Sequence, residues 1–398
     1  MSNFKKELAE YTKNLNKASQ DENLARAVTR AIKSYRQNVE AAMSQYPHTS
    51  ALAEEARAIK DYSMANNKEL LEQAMQVIES NHGQAFYAED REAAINIVKK
   101  IVGKEKIIVK GKSMLAEELD LREALQEEGN EVWETDLGEF ILQLKNDRPM
   151  HILAPSIHVP REQVAEIFSK FFQKEISADI AELVSEVREF LREKYFTADV
   201  GISGANVVAA DTGQIVIIEN EGNVRLCTGL PPVHIVIVGL EKLVPTFQDA
   251  MKVAEVTWRY ANYGAPGYVN IISGPSRTGD IEKVITYGAH GPKEFYVIFV
   301  NNGRRAMMND ENYRQALHCL RCGGCMYECP VFQVTAGHYG RTYLSGIGSV
   351  WTSFVEGVES AAPMLYTCLR CGRCVERCPM QIDVPKMVGR LRSELASD

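Results

Sequence analysis

Apolar positions change their period twice along the chain. Up to about residue 82 they recur at helical spacing, with Leu24, Val28 and Ile32 in one stretch and Leu52, Ile59, Leu70, Leu71, Met75 and Ile78 in a second. That spacing predicts amphipathic helices. Asp21 stands where an N-cap belongs, Pro47 interrupts the pattern, and Asn81, His82 and Gly83 end it. A stripe of this kind is core packing or a partner seam. From there to about residue 303, short β-rich runs alternate with helical stretches. The runs fall at 106–110, 151–154, 200–203, 215–219, 234–238, 268–272 and 295–300; helical patterns lie at 91–102, 117–128, 161–172 and 180–194. Alternation predicts an α/β domain with a mainly parallel sheet, whose ligands sit at the carboxyl ends of the strands. Beyond Gly303 the pattern turns helical and loop-rich. The expected organisation is an N-terminal helical arm or subdomain at 1–82, an α/β domain at 83–303 and a helical, cysteine-bearing domain at 304–398.

Eight of the nine cysteines fall in two short runs in that last part. One holds Cys319, Cys322, Cys325 and Cys329, followed by Pro330; the other holds Cys368, Cys371, Cys374 and Cys378, followed by Pro379. Both read C-x2-C-x2-C-x3-C-P, the run that carries [4Fe–4S] clusters in two-cluster ferredoxins. Three cysteines two residues apart let one tight loop wrap three corners of a cubane. Gly323, Gly324 and Gly372 supply the bend. In such ferredoxins the fourth cysteine ligates the other cluster. The expected sets are therefore Cys319, Cys322, Cys325 with Cys378, and Cys368, Cys371, Cys374 with Cys329. Zinc more often takes two separated C-x2-C knuckles, and a disulfide framework needs an oxidising compartment. Two neighbouring clusters form an electron wire. The connection between the runs is much longer than in compact ferredoxins, and resembles the helical two-cluster modules of succinate dehydrogenase and heterodisulfide reductase type enzymes. Cys227 stands alone and reads as a small buried hydrophobe.

Composition narrows the setting. The 398 residues are 45% apolar and 25% charged, ordinary for a globular protein. The first residues run straight into a charged helix, with no apolar signal region and no twin arginine, and the longest apolar runs are strand-length. A cytoplasmic protein with no direct membrane span is expected. Net charge is −8, which argues against nucleic-acid binding. Arg370, Arg373, Arg377, Lys386 and Arg390 reverse that balance around the second run. Positive charge there favours a reduced cluster or serves as a docking or solvated face.

Several loops of the α/β part are richer in Gly, Ser and charge than a plain turn requires. Lys110, Gly111, Lys112 and Ser113 follow a strand and precede a helix, where amides and lysines can meet an anion; an ordinary βα turn is the alternative. The loop is not a Walker A motif, and no G-x-G-x-x-G follows a strand, so no Rossmann nucleotide site is expected. Glu219, Glu221 and Asn223 form a second set, the two glutamates sharing a face if the strand continues; Ser276, Arg277 and His290 form a third. Converging at one sheet edge, these loops would make a polar anion pocket. His290 would then be a general base, or a hydrogen-bonding loop residue.

The cysteine pair together with these loops resembles the lactate utilization protein B family. The likeness is carried by residues 109–114, 152–158, 211–213, 219–223, 230–234 and 274–278, and by both cysteine runs, and covers nearly the whole chain. It implies a lactate-utilization (LUD) domain with the α/β fold of sugar-phosphate isomerases and CoA transferases. It also implies work beside a cysteine-rich redox subunit and a smaller LUD-domain protein. Together these oxidise L-lactate to pyruvate and pass electrons through a partner to a quinone or another carrier. This chain would be the electron carrier. The rival reading gives the LUD domain an anionic or acyl substrate of its own, with the clusters serving another oxidoreductase; a third keeps the domain as a docking scaffold. Typical members of the family continue well past the second cysteine run, whereas this chain ends at Asp398.

Overall fold

The computed structural model describes residues 2–397; Met1 and Asp398, the ends noted in the sequence, lie outside the described residues. Four helices open the chain: α1 (Ser2–Ser19), α2 (Glu22–Gln45), α3 (Thr49–Ala65) and α4 (Asn67–Ser80). Asp21 caps α2 by accepting the Asn23 and Leu24 N–H groups at 2.9 and 3.0 Å. The apolar face it starts, Leu24, Val28, Tyr35, Val39 and Ala42, is buried.

The α/β part follows as β1 (Gln84–Ala88), α5 (Arg91–Val102), β2 (Ile107–Lys110), α6 (Met114–Glu118), α7 (Leu121–Gln126), β3 (Glu131–Glu134), α8 (Leu137–Lys145), α9 (Arg161–Phe172) and α10 (Ile180–Thr197). It continues through β4 (Val200–Ser203), β5 (Val207–Ala209), β6 (Ile215–Glu219), α11 (Asn223–Gly229), β7 (Val233–Gly239), β8 (Leu243–Val244), α12 (Phe247–Tyr260), β9 (Tyr268–Ile272), β10 (Arg277–Thr278), β11 (Thr286–Tyr287) and β12 (Glu294–Val300). Six strands pair in the order β1-β12-β7-β4-β2-β3, all parallel. The central strands β7 and β12 are apolar on both faces, as a doubly covered parallel sheet requires. One face packs on α5, α6 and α7 through Val98, Leu115, Leu119 and Leu125. The other meets α8, α9 and α10 and a second sheet, β8-β5-β6-β9, in which β6 runs antiparallel to both neighbours.

Three expectations are corrected here. Residues 151–154 form no strand; Ile152 and Leu153 pack against the cysteine-bearing domain and helices α1 and α2, so an apolar run is buried here as a loop. The helix expected at 117–128 breaks at Asp120, whose φ of 46° is left-handed, so the chain turns between α6 and α7. The antiparallel second sheet joins the expected parallel one. Its strand β5 is three fully buried residues, too short for alternation to show.

The last part holds α13 (Arg304–Asn309), α14 (Gly324–Glu328), α15 (Pro330–Thr335), α16 (Ser345–Val355), α17 (Val358–Thr367), α18 (Arg373–Arg377) and α19 (Val384–Ser397). The N-terminal helices do not project as an arm: α1 lies on α15 and α17, α2 on α14, α15 and α12, and α3 on α12. One apolar core runs from Leu71 and Ile78 through Val238 and Phe299 to Trp351, Leu365 and Leu391. Among the described residues no helix is long and apolar enough to cross a membrane.

Candidate metal centres and the cavity beside them

The two cysteine runs fold alike. In each, the residue before the second cysteine is left-handed, Arg321 at φ 62° and Arg370 at 53°, and the residue after it is a glycine with positive φ, Gly323 at 76° and Gly372 at 84°. Each loop then opens a one-turn helix, α14 or α18, that ends at the fourth cysteine. Cys319, Cys322, Cys325 and Cys378 line one cavity, walled by Leu320, Met326, Leu344, Ile347, Met380 and Ile382. Cys329, Cys368, Cys371 and Cys374 line a second with Pro330, Val331, Leu369 and Pro385. Cys374 also reaches the first cavity and Cys325 the second, so the two adjoin.

The donor set fits iron–sulfur clusters. Burial, followed by neighbouring cysteine sulfurs, pushes the Cys374 thiol up to about 12 and Cys325 well above the ordinary thiol range. Burial, with Cys378 and Cys319 nearby, takes Cys322 to about 12, and burial takes Cys378 to about 11. Sulfurs in such a setting become thiolates only when cations share the site. The Arg370 N–H donates to the Cys368 sulfur at 3.4 Å, the kind of bond that helps set a cluster potential.

What covers the two loops differs. Leu320 of the first run is 6% exposed, while Leu369, at the matching place in the second, is 66% exposed. A side chain on Gly323 would strike the His151 ring, and one on Gly324 the Tyr35 hydroxyl; on Gly372 it would meet open space. Cys371, Arg370 and Arg373 are exposed with Leu369. The expected basic patch is therefore split. Arg377 turns inward and donates to the Tyr35 hydroxyl at 3.1 Å, and Arg390 pairs with Glu394 at 3.2 Å.

A larger cavity, about 290 Å³, opens at the carboxyl edge of the parallel sheet. Lys112, Ser113, Glu221 and Asn223 line it. Ser276, Arg277 and His290 do not: they sit on the β10–β11 hairpin at the opposite, amino edge, where the Ser276 N–H bonds the Pro292 carbonyl at 2.8 Å. The chain must return to that edge to start β12 parallel to β7. Arg277 and His290 are exposed there, and the expected convergence of all three loop sets is corrected to two.

Roles within the cavity wall also sort differently from the sequence reading. Lys110 is fully buried and held charged by Glu134 at 2.8 Å and Glu117 at 2.9 Å, leaving Lys112 as the lysine of its loop that faces the cavity. The Ser113 hydroxyl caps α6 through the Ala116 N–H. β6 ends at Glu219, so Glu219 and Glu221 do not share a strand face. Glu219 accepts the Val224 and Arg225 N–H groups at 2.8 and 3.0 Å and fixes the start of α11. Glu221 lies at the solvent-exposed mouth, where partial desolvation, then Asp136, pushes its carboxyl up to about 7. Cys227 is fully buried, 3.3 Å from the Thr135 hydroxyl.

Sequence reasoning missed the far wall: Lys242, Glu241, Trp258, Arg304, Arg321 and Tyr343. Arg304 is buried and bridges Glu241 at 2.6 Å and Glu118 at 2.9 Å; burial alone would raise the Glu241 carboxyl, but Arg304 beside it holds it down to about 2. The Arg321 guanidinium sits over Tyr343 and Trp351, 4.4 and 4.0 Å from the ring centres. Ile152, Leu320, Arg321 and Tyr343 line both this cavity and the first cysteine cavity, forming a shared wall.

Family comparisons agree with this two-part anatomy. The LUD domain model matches residues 71–300 and the 4Fe-4S dicluster domain model residues 315–382. The chain is similar to lactate utilization protein B of Shouchella clausii, 36% identical over 366 residues, covering 90% of this chain and 74% of that one. It is similar to the protein of the same name from Bacillus velezensis, 36% identical over 78% of this chain and 64% of that one. It is also 31% identical to the uncharacterized electron transport protein YkgF of Escherichia coli, over 95% of this chain and 78% of that one. A solved duf162 family protein from Deinococcus radiodurans, with a TM-score of 0.33 and 15% identity over 59% of this chain and 98% of its own, is too distant to inform the fold. With two [4Fe–4S] clusters behind a LUD domain, the chain belongs to the lactate utilization protein B family.

Proposed function

We propose that this chain is the iron–sulfur electron-transfer subunit of a cytoplasmic complex that oxidises L-lactate, or a related 2-hydroxyacid, to pyruvate. The observation that carries the reading is the crossed grouping of eight cysteines around two adjoining cavities. On this reading Cys319, Cys322, Cys325 and Cys378 hold one cluster, and Cys368, Cys371, Cys374 and Cys329 the other. When bound, each cluster takes up and releases one electron at a time. The apolar walls keep water from the first site, and the crossing fixes α14 against α18. The open second loop, with Leu369, Arg370 and Arg373, is the natural face for a redox partner. The names of the relatives favour lactate as the electron source. A cysteine-rich subunit and a smaller LUD-domain protein are the expected partners, with a quinone or another carrier reached through them.

The test is anaerobic purification from a host that co-expresses the neighbouring genes, with iron and sulfide assays and EPR of the reduced sample. About eight irons per chain, and clusters reduced by L-lactate only when the partners are present, is the expected result. Eight irons without a lactate response would remove the substrate assignment; zinc without an EPR signal would remove the wire itself.

A further inference from the structure

The cavity at the carboxyl edge of the sheet has chemistry that the electron-wire reading does not use. Its wall brings Lys112 from the β2–α6 loop, Lys242 from the β7–β8 turn and Arg321 from the first cysteine loop to one space. None of these three cations makes a hydrogen bond or ion pair to a protein side chain among the described residues. Of the nearby acids, Glu241 pairs with Arg304, Glu219 with the α11 amides and Asn270, and Asp136 with the Glu139 N–H, while Glu221 and Glu139 lie near enough to Lys112, and Glu241 to Lys242 and Arg321, to feel those charges without an ion pair. The Trp258 indole N–H in the same wall has no acceptor either. A cavity that served only packing would be lined by apolar groups, because cations withdrawn from water without partners cost stability. Unpaired cations around a space of about 290 Å³ call for an anion that arrives from outside.

We propose that this cavity is a binding site for a small organic carboxylate, anchored by Lys242 and Arg321 against the wall it shares with the first cluster. The inference rests on the electron-transfer reading and deepens it by placing an organic ligand beside one end of the wire. Three features select the class. The guanidinium of Arg321 is planar, and its fork matches a carboxylate in a way that a lysine does not. Tyr343 and Trp351 pack against it, their ring centres at 4.4 and 4.0 Å, so it is restrained at the cavity wall and less entropy is lost when a ligand binds. Besides Lys242 and Arg321, the lining offers Lys112 together with Ser113, Asn220, Asn223 and Glu221, donors and acceptors that suit a hydroxyl or keto oxygen beside a carboxylate. A 2-hydroxyacid or 2-oxoacid presents that polarity, charge at one end and a neutral oxygen beside it. Because Arg321 and Leu320 belong to the loop that carries Cys319 and Cys322, a ligand on Arg321 changes the charge next to the first cluster and leaves the second, on the open side, unaffected.

The experiment uses the anaerobic holoprotein with its iron content measured. L-lactate, pyruvate and inorganic phosphate are titrated separately by calorimetry, and EPR of the reduced protein is recorded with and without each. Lactate or pyruvate should bind and alter the signal of one cluster only. Binding should weaken by about tenfold or more in Lys242→Met, whose iron content and ligand-free spectrum should match the parent. Lys112→Met provides a second variant away from the cluster loop should Lys242→Met lose iron. Arg277→Met, on the far sheet edge, should bind as the parent does. No binding by a protein holding its full iron would overturn the proposal and leave the wire intact. Affinity within about twofold of the parent in both lysine variants would also overturn it. Phosphate binding as well as the carboxylates would replace the class with an inorganic oxyanion. A protein that binds carboxylate but holds no iron would instead retire the electron-transfer reading while keeping the site.

Discussion

Replacing Arg304 with methionine tests how the LUD domain is held to the cysteine-bearing domain. Arg304 starts α13 and is 1% exposed on its side chain, against 2% for Glu118 and 4% for Glu241. Its guanidinium donates to Glu241 at 2.6 Å, to both oxygens of Glu118 at 2.9 Å, and to the Asn301 carbonyl at 3.2 Å. Methionine fills most of the same volume, so the cavity cost is small and the electrostatic cost dominates. Glu118 would keep the Tyr343 hydroxyl and the Asn302 amide, but Glu241 would be left with a buried carboxylate and no side-chain donor. Breaking a buried pair in this way costs roughly 3–5 kcal/mol, and with Glu241 orphaned and Glu118 stripped of its cation the loss should fall near the top of that range. Urea unfolding of the anaerobic holoprotein, followed by circular dichroism and iron release, would measure it. The triple variant with Glu118→Gln and Glu241→Gln removes the orphaned charges and should recover more than half of the loss. A loss below ~1 kcal/mol, the scale of an exposed pair, would refute the reasoning, as would a triple variant no better than the single.

Three further outcomes follow from the same geometry. Cys378→Ala should bring iron from about eight to about four per chain and open Cys319, Cys322 and Cys325 to alkylation, although Cys378 belongs to the other run; mass spectrometry finding Cys368, Cys371 and Cys374 alkylated instead would contradict the crossed sets. Glu139 is buried, and burial pushes its carboxyl up to about 8 from 4.5. Its contribution is therefore fully present below the ordinary carboxylate range and is lost as pH rises through about 8. Glu139→Gln should then be more stable than the parent above that pH by a few kcal/mol, at ~1.4 kcal/mol per unit, with the gap closing toward about pH 4.5 in a thermal series. Leu369→Asp should change stability by under ~0.5 kcal/mol but slow reduction by a partner in stopped-flow mixing, whereas Leu320→Asp, at the matching and buried position, should prevent the first cluster from assembling.

Legibility in the sequence tracked how local each signal was. β4, β6 and β9 and helices α5 and α9 stand at the residues that periodicity gave, because each is a self-contained run of apolar residues between turn formers. Residues 151–154 misled for a physical reason. An apolar run can read as a strand, and here Met150 and Ile152 are instead buried as a loop between Leu24 and Val28 of α2 and Met326, Phe332 and Leu344 of the cysteine-bearing domain. The cysteines were legible because the spacing alone brings three sulfurs to one loop. The cavity was half legible. Polar loops after β2 and β6 marked their edge of the sheet, but composition does not tell which edge a long connection reaches, so the β10–β11 hairpin was placed with them. Lys242 and Arg321 carried no signal, since a lysine in a turn and an arginine in a cysteine loop gain meaning only when the fold sets them across one space.

The two cysteine runs carry the same argument further. As sequence they are near copies, Cys-Leu-Arg-Cys-Gly in both, and spacing gives them equal standing. What distinguishes them is the packing: α2 and the 151–154 loop cover the first through Tyr35, His151 and Ile152, and nothing equivalent covers Gly372. Charge near a sulfur weighs more where water is excluded, since a low dielectric strengthens it. Arg321 and Arg377 beside the covered loop should therefore shift its cluster more than the solvent-screened Arg370 and Arg373 shift theirs. Two clusters with identical ligands should thus differ in potential through their surroundings alone. A single midpoint in a redox titration followed by EPR, with both clusters reducing together, would deny that the covering matters.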